Sequence, residues 1–556
     1  MRIPAVMRIL SVKLLCTCLC ACLCACVTQT AFAQGPAGQS AGQPAAAGER
    51  PPNILIIFSD DHAYQSISAY GSKLMETPNI DRIAREGALF TNVFVSNSLC
   101  SPARATLLTG KYSHINGRKT NSGTPFDVHQ ELFTRILKDN NYQTAWIGKW
   151  HLQTLPDGMD NWKILVDQGH YYNPDFISPV ARTANSAAQG ISPQGPGGDT
   201  ARITGYVTDI ISDLTFDWLD HRDSTKPFCL IVGEKAPHRE WLPDLPDLGA
   251  LDAIDFPVPP TFHDDYEGRQ AAANQDMTIA KTMLLQNDLK VHLDQTTYNE
   301  YTRLDPDQRK VFFGYYDKIT RDYEEHHYTG DALLHWKYER YLKDYLTTTR
   351  SLDRNIGRIL DYLDRTGLSK NTVVIYASDQ GFYLGEHGWF DKRWMYEESL
   401  RTPFVMRYPG VIKPGTTIPQ MIVNIDFAPT LLSIAGVKPP ADMQGQSFLP
   451  LLKTPKTSSA WRKAMYYHYY EFPQPHHVSP HFGVRTARYK LIRFYGPADA
   501  WELYDLQKDP HEIHNLYGRK EYADITLRLR KQLDDLISQY KDTEAAEILE
   551  KETGKP

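Results

Sequence analysis

Four short apolar runs in this chain stop abruptly on polar, chemistry-bearing residues, and no other feature restricts the fold as much. They are Ile56-Ile57-Phe58 into Ser59-Asp60-Asp61, Trp146-Ile147 into Gly148-Lys149-Trp150-His151, Ile231-Val232 into Gly233-Glu234-Lys235-Ala236-Pro237-His238, and Val374-Ile375-Tyr376-Ala377 into Ser378-Asp379-Gln380-Gly381. With residues 404–407 they make up the clearest strand candidates: 53–58, 145–148, 228–232, 372–377 and 404–407. Helical patterns alternate with them at 77–86 (Thr77 as cap, Pro78 in the first turn), 105–108 and 332–363. Such alternation predicts an α/β fold with a large, mainly parallel sheet flanked by helices. In an open parallel sheet, ligands bind just beyond the carboxyl ends of the strands, so the four polar ends are expected to converge on one site.

The organisation around that core follows from composition. Arg2, Arg8 and Lys13 precede an apolar run, 14–27, and the small-residue site Ala31-Phe32-Ala33, so 1–33 reads as a secretory signal peptide and the protein as exported, periplasmic or secreted. The run is shorter than a membrane span needs, and no stable span is expected. A lipoprotein is the weaker alternative, since Leu19 and Leu23 each stand three residues before a cysteine. Residues 34–51 read as a flexible linker, 52–452 as the large catalytic domain, 453–545 as a smaller C-terminal α+β domain with an antiparallel sheet, and 546–556 as a tail. Strands are expected there at 465–470, 482–494 and 502–505, and a helix at 523–540. The stretch 236–329, dense in Pro, Asp, His and Tyr, is expected to be loops and short helices. Six of the eight cysteines lie in the signal segment, leaving Cys100 and Cys229 with no disulfide framework. Removing 1–33, with three bases and no acids, takes the formal charge from −6 to −9. That balance does not fit a nucleic-acid binder, and an anionic substrate would have to be attracted by local cations or a metal.

Singly, each polar strand end has a bland reading. Asp60-Asp61 caps a helix, Asp379-Gln380-Gly381 makes a turn, and His238 is a loop histidine. Together, paired oxygen donors from two strand ends suit a hard cation such as Ca²⁺, while the scarcity of cysteine and the lack of a close histidine pair argue against structural zinc.

Cys100-Ser101-Pro102-Ala103-Arg104, followed by Ala105-Thr106-Leu107-Leu108-Thr109-Gly110-Lys111, could be no more than a buried thiol before a helix. The pattern Cys-x-Pro-x-Arg before Leu-Thr-Gly-Lys, however, resembles the signature of the type I sulfatases of the alkaline phosphatase superfamily. The two-aspartate strand end, Gly148-Lys149-Trp150-His151, Ala236-Pro237-His238 and Asp379-Gln380-Gly381 match in the same order, so the resemblance spans nearly all of the chain after the signal segment. It implies an alkaline-phosphatase-like fold and a cysteine oxidised by a separate formylglycine-generating enzyme, whose hydrated aldehyde attacks sulfur. It also implies that Asp60, Asp61, Asp379, Gln380 and the modified Cys100 hold Ca²⁺. Arg104, Lys149, His151, His238 and Lys392 would surround nucleophile and sulfate, with His238 as acid for the departing alcohol and His151 as base for the second hydroxyl. Ala103 stands where many members have serine, and Gln380 where many have asparagine. Lys392 is assigned by its place in Phe390-Asp391-Lys392-Arg393, and its neighbour Arg393 is the alternative.

The implied substrate is a sulfated carbohydrate, with N-acetylglucosamine 6-sulfate as the specific expectation, because 385–397 resembles glycan sulfatases more than simple arylsulfatases. Trp241, Trp389, Trp394, His477 and His481 are candidate sugar-facing rings, set against the favoured alternative that most of them simply pack between domains. The competing readings are a phosphonate or phosphate ester hydrolase of the same superfamily and an inactive glycan-binding homologue.

Overall fold

The computed structural model of the protein describes residues 50–179, 198–454 and 461–553. The expected signal peptide (1–33), nearly all of the expected linker (34–51) and the last residues of the expected tail lie outside the described residues. Residues 49–556 group as one compact unit.

Ten strands form the main sheet. In chain order they are β1 (Asn53–Ser59), β2 (Ala88–Phe90), β3 (Gln143–Gly148), β4 (Asn161–Leu165), β5 (Asp175–Pro179), β6 (Gly198–Arg202), β7 (Phe228–Gly233), β8 (Thr372–Ser378), β9 (Phe404–Arg407) and β10 (Thr416–Ile418). They lie side by side as β10-β2-β9-β8-β1-β7-β3-β4-β5-β6. The five central strands β8, β1, β7, β3 and β4 are mutually parallel, so their carboxyl ends share one edge. β9 and β5 run antiparallel to this block, which makes the whole sheet mixed around a parallel centre.

The continuous apolar runs are explained by cover on both faces. Among the described residues the longer helices are α1 (Pro78–Glu86), α2 (Cys100–Thr109), α3 (Val207–His221), α4 (Pro306–His326), α5 (Gly330–Arg365), α6 (Ala523–Tyr540) and α7 (Thr543–Thr553). Along β1, Ile54, Ile56 and Phe58 pack into one core with Ala105, Leu107 and Leu108 of α2. Leu55 and Ile57 face the other, with Ile80 and Ile83 of α1, Ile210 and Ile211 of α3, and Ile356, Ile359 and Leu360 of α5.

Three local expectations change. Thr77 does take the N-cap position of α1, but its hydroxyl donates to Asp81 (3.0 Å), and the free N–H groups of Asn79 and Ile80 donate to Asp353 of α5 at 3.2 and 2.9 Å. α2 is longer than 105–108 because all ten of its residues are buried, so no polar face marks its ends. The stretch 236–329 holds a 21-residue helix, α4, as well as turns. Its start is a capping box, in which the Asp305 carboxylate accepts from Asp307 and Gln308 N–H while the Asp305 N–H donates to Gln308.

The second sheet is antiparallel, β11 (Ala464–Tyr469), β12 (His481–Thr486), β13 (Tyr489–Phe494) and β14 (Ala500–Asp505) in that order. The expected single strand 482–494 is therefore a hairpin, turned at Ala487-Arg488 without the glycine or asparagine that usually signals one. Leu529, Leu533 and Ile537 of α6 complete its core. Among the described residues no helix is long and apolar enough to cross a membrane.

Candidate active site

The shared carboxyl edge of the parallel strands collects the site. Asp60 and Asp61 follow β1, Asp379 and Gln380 follow β8, Lys149 and His151 follow β3, and Lys235 and His238 follow β7. Asp61 and His151 both adopt left-handed backbone, at φ 64° and 55°, a conformation that costs free energy and persists where the surroundings enforce it. Gly148 has φ 99°, and a side chain there would meet the Gly233 carbonyl of the neighbouring strand, so the Gly-Lys-Trp-His turn requires glycine.

α2 delivers Cys100 to this edge. Cys100 begins the helix, Pro102 occupies the first turn where no N–H is needed, and Arg104 lies one turn on, on the same face as Cys100. Gly110, at φ 64°, closes the helix by donating its N–H to Thr106. The spacing Cys-x-Pro-x-Arg and the trailing Thr-Gly are thus the start, face and stop of one helix.

The carboxylates surround the thiol. Potential ligand atoms of Asp60, Asp61, Cys100 and Asp379 all lie within 4.8 Å of one another. Cys100 Sγ is 4.0 Å from Asp61 Oδ1 and 3.9 Å from Gln380 Nε2. Gln380 Nε2 also donates to Asp61 Oδ1. Asp60 Oδ1 and Gln380 Oε1 are buried and have no hydrogen-bond partner among the described residues. Such orphaned oxygens inside a carboxylate cluster are satisfied by a cation, and turning the Gln380 amide over would present its oxygen to the same point. The donor set is therefore hard and oxygen-rich, as Ca²⁺ requires.

Cations brace the acids from outside. Arg104 binds Asp379 Oδ2 through Nη2 (3.0 Å) and Nε (3.2 Å), and donates to the Lys149 carbonyl at 2.9 Å. Lys149 Nζ pairs with Asp60 Oδ2. Lys392 Nζ donates to Asp61 Oδ2 at 2.7 Å, whereas Arg393 turns to Asp391, so Lys392 is the one of the two that reaches the carboxylate cluster. His238 places Nε2 3.8 Å from Asp61 Oδ2 and ties Nδ1 to the Arg239 carbonyl.

Burial dominates the electrostatics. It pushes the Asp61 carboxyl up to about 7, against the pull of Lys392, and Asp379 adds to the rise. It raises the Cys100 thiol far above its ordinary range, so an unmodified cysteine here is a protonated, poor nucleophile. It holds the His238 imidazole well below its usual value, with Lys149 and Lys392 next in importance. Lys392 is the reverse case: burial opposes its charge, but Asp61 and its neighbours outweigh burial and hold the ammonium up.

Two residues at this edge were given no role from sequence. Lys235 lies inside the third polar run. Gln168 follows a fifth parallel strand, β4, in Asp167-Gln168-Gly169, the same tripeptide as 379–381. A fifth apolar run ending on polar residues was the available signal. Four of the five proposed sugar-facing rings do not face solvent. Trp241, Trp389, Trp394 and His481 are fully buried, Trp389 stacking on Trp394 at 4.8 Å, and of the five only His477 is exposed, paired with Asp276 at 3.0 Å.

Residues 52–437 match the family described as sulfatase, and residues 385–539 the one described as N-sulphoglucosamine sulphohydrolase, C-terminal. A protein of Bacteroides thetaiotaomicron named N-acetylglucosamine-6-O-sulfatase is 44% identical over 509 residues, 89% of this chain and 88% of that one. A solved structure of a protein in complex with its substrate D-glucosamine-2-N,6-O-disulfate superimposes with a TM-score of 0.84 at 44% identity, covering 89% of this chain and 99% of that one. A phosphonate monoester hydrolase of Agrobacterium radiobacter aligns with a TM-score of 0.62 at 21% identity over 88% of this chain and 96% of that one, a likeness of fold alone.

Proposed function

We propose, from the premise that the chain belongs to the sulfatase family and is a sulfuric ester hydrolase, that it removes the 6-O-sulfate of an N-acetylglucosamine-type residue in an exported or periplasmic setting. The convergence of three carboxylates, Gln380 and two lysines on Cys100 carries the chemistry of this reading. The similarity to an N-acetylglucosamine-6-O-sulfatase at 44% identity carries the sugar.

Cys100 would be converted by a separate maturation enzyme to formylglycine, whose hydrate supplies an oxygen nucleophile, and Ca²⁺ held by Asp60, Asp61, Asp379, Gln380 and residue 100 would supply Lewis acidity. The remaining groups act around it. Lys149 and Lys392 offset the negative charge of the sulfuryl oxygens, and Arg104 fixes Asp379 rather than reaching the sulfate itself. His238 is the acid for the departing alcohol: burial, Lys149 and Lys392 keep its imidazole uncharged before substrate binds, and an anionic sulfate offsetting those lysines lets the ring take up the proton it donates. With Nδ1 committed to the Arg239 carbonyl, its protonated form has one free N–H, at Nε2, beside Asp61.

His238→Ala is expected to slow sugar or alkyl sulfates by about a hundredfold to ten-thousandfold. A nitrophenyl sulfate, whose alcohol leaves without a proton, should lose far less. Steady-state kcat on both substrates reads the difference, and equal losses would remove His238 from the acid role.

The substrate is tested with desalted mono- and oligosaccharides, each sulfated at one known position. Sulfate release from the glucosamine 6-sulfates is the expected result. Release from an aryl sulfate and from no sugar would sink the carbohydrate reading, and preference for a 2-, 3- or 4-sulfate would sink the position alone. Parallel phosphate and phosphonate esters of one alcohol separate the phosphoryl alternative.

A further inference from the structure

The loop after β4 reaches into the site through one side chain. Gln168 accepts from the Lys149 ammonium at Oε1 and faces His151 Nε2 at 2.9 Å with its own Nε2. Its backbone carbonyl takes the buried Lys235 ammonium at 3.4 Å. Gln168 thus ties together the ends of three parallel strands, β3, β4 and β7.

The two polar atoms of a carboxamide are alike in size, so its orientation must come from its partners. An ammonium has donors only, and Lys149 therefore requires the amide oxygen on its side. The NH₂ group is then left facing His151 Nε2, which must accept, so the proton of a neutral His151 sits on Nδ1. Protonating the ring would set N–H against N–H. Nδ1 is itself buried with no hydrogen-bond partner among the described residues. Around this ring stand Lys149, Arg104, Arg118 and Lys392, with the mostly exposed Asp167 3.9 Å from Nε2 as the nearest acid. A buried donor without an acceptor, among four cations, is a place for an anionic oxygen.

We propose that Gln168 is a positioning residue whose carboxamide, oriented by Lys149, holds His151 as the neutral Nδ1–H tautomer, so that this imidazole serves as a hydrogen-bond donor to the sulfate rather than as a base. The proposal rests on the sulfatase reading above and changes the role assigned to His151 from sequence.

A double-mutant cycle on matured, calcium-loaded enzyme tests it. Gln168→Met keeps the length and removes both hydrogen bonds, and should lower kcat on an aryl sulfate about tenfold to a hundredfold with little change in KM. In a His151→Ala background the same change should cost almost nothing. Gln168→Glu places a carboxylate opposite Nε2 and favours the imidazolium, so the acid limb of the kcat/KM profile should move to higher pH by about one unit or more. A role in packing alone would not move that limb. If Gln168→Met does not fold, judged by circular dichroism, Gln168→Glu carries the test. Equal losses from Gln168→Met with and without His151, or an unmoved acid limb in Gln168→Glu, would overturn the proposal. Absence of sulfate release by the wild-type enzyme is a separate result that strikes the underlying reading first.

Discussion

Cys100→Ala is expected to give a folded protein whose sulfate release is lower by on the order of ten-thousandfold or more, because the change removes the precursor of the proposed nucleophile and little else. Among the described residues the sulfur makes two long polar contacts, 4.0 Å to Asp61 and 3.9 Å to Gln380. Its loss costs on the order of 1 kcal/mol in packing. The apolar face of α2, Ala105, Leu107 and Leu108, stays in the core, and the thermal midpoint should barely move. The same protein left unmodified should also be nearly inactive, since burial keeps the thiol protonated. Two readouts separate these cases: kcat on an aryl sulfate, and the mass of the peptide carrying residue 100, where the proposed conversion would replace the thiol by an aldehyde. Near-normal turnover by folded Cys100→Ala would defeat the nucleophile assignment.

What the sequence disclosed, and what it hid, follows from periodicity and distance. Four of the five parallel strands, β8, β1, β7 and β3, were legible because they are buried on both faces and read as apolar runs, whereas β4, with Asn161 exposed and Lys163 half-buried, was not. The edge strands β6 and β10, and β5 beside β6, were not, since they are short and partly exposed and carry residues such as Gly198-Asp199 that no β pattern favours. The start of α2 was recovered through Cys-x-Pro-x-Arg rather than amphipathicity, because every residue of that helix is buried. In the site, the residues singled out sit at or just beyond strand and helix ends, or in the case of Arg104 one turn into α2, beside a recognisable motif. Gln168 escaped because its partners, Lys149 and His151, are 19 and 17 residues away, and only the sheet order shows that β4 ends beside β3. The tryptophans near 389–394 failed as sugar platforms for the opposite reason: a motif next to Lys392 is also where the two sheets' cores meet, and large rings go inside.

Removing divalent ions from the matured enzyme is expected to abolish turnover, with Ca²⁺ restoring it and Zn²⁺ failing to do so. Three carboxylates, Asp60, Asp61 and Asp379, stand against three bracing cations, Lys149, Lys392 and Arg104, so the protein groups alone are close to neutral. A divalent ion adds two positive charges, the amount that a sulfate monoester and one ionised oxygen can balance. It also satisfies Asp60 Oδ1 and Gln380 Oε1, which otherwise remain buried without partners. Asp60, Cys100 and His238 form a second group whose ligand atoms lie close together, a softer set that suits zinc while the thiol is present. Conversion of the thiol removes its sulfur, so zinc retention should be confined to the unmodified protein, and the metal comparison belongs on matured enzyme. Asp61→Asn and Asp379→Asn each delete one ligand charge and should weaken calcium binding about tenfold to a hundredfold. Gln380→Asn keeps the amide oxygen on a shorter stem and should do less. Calorimetric titration with Ca²⁺ and elemental analysis of the chelated protein read these differences, and full activity in a preparation shown to be free of divalent metal would overturn the calcium assignment.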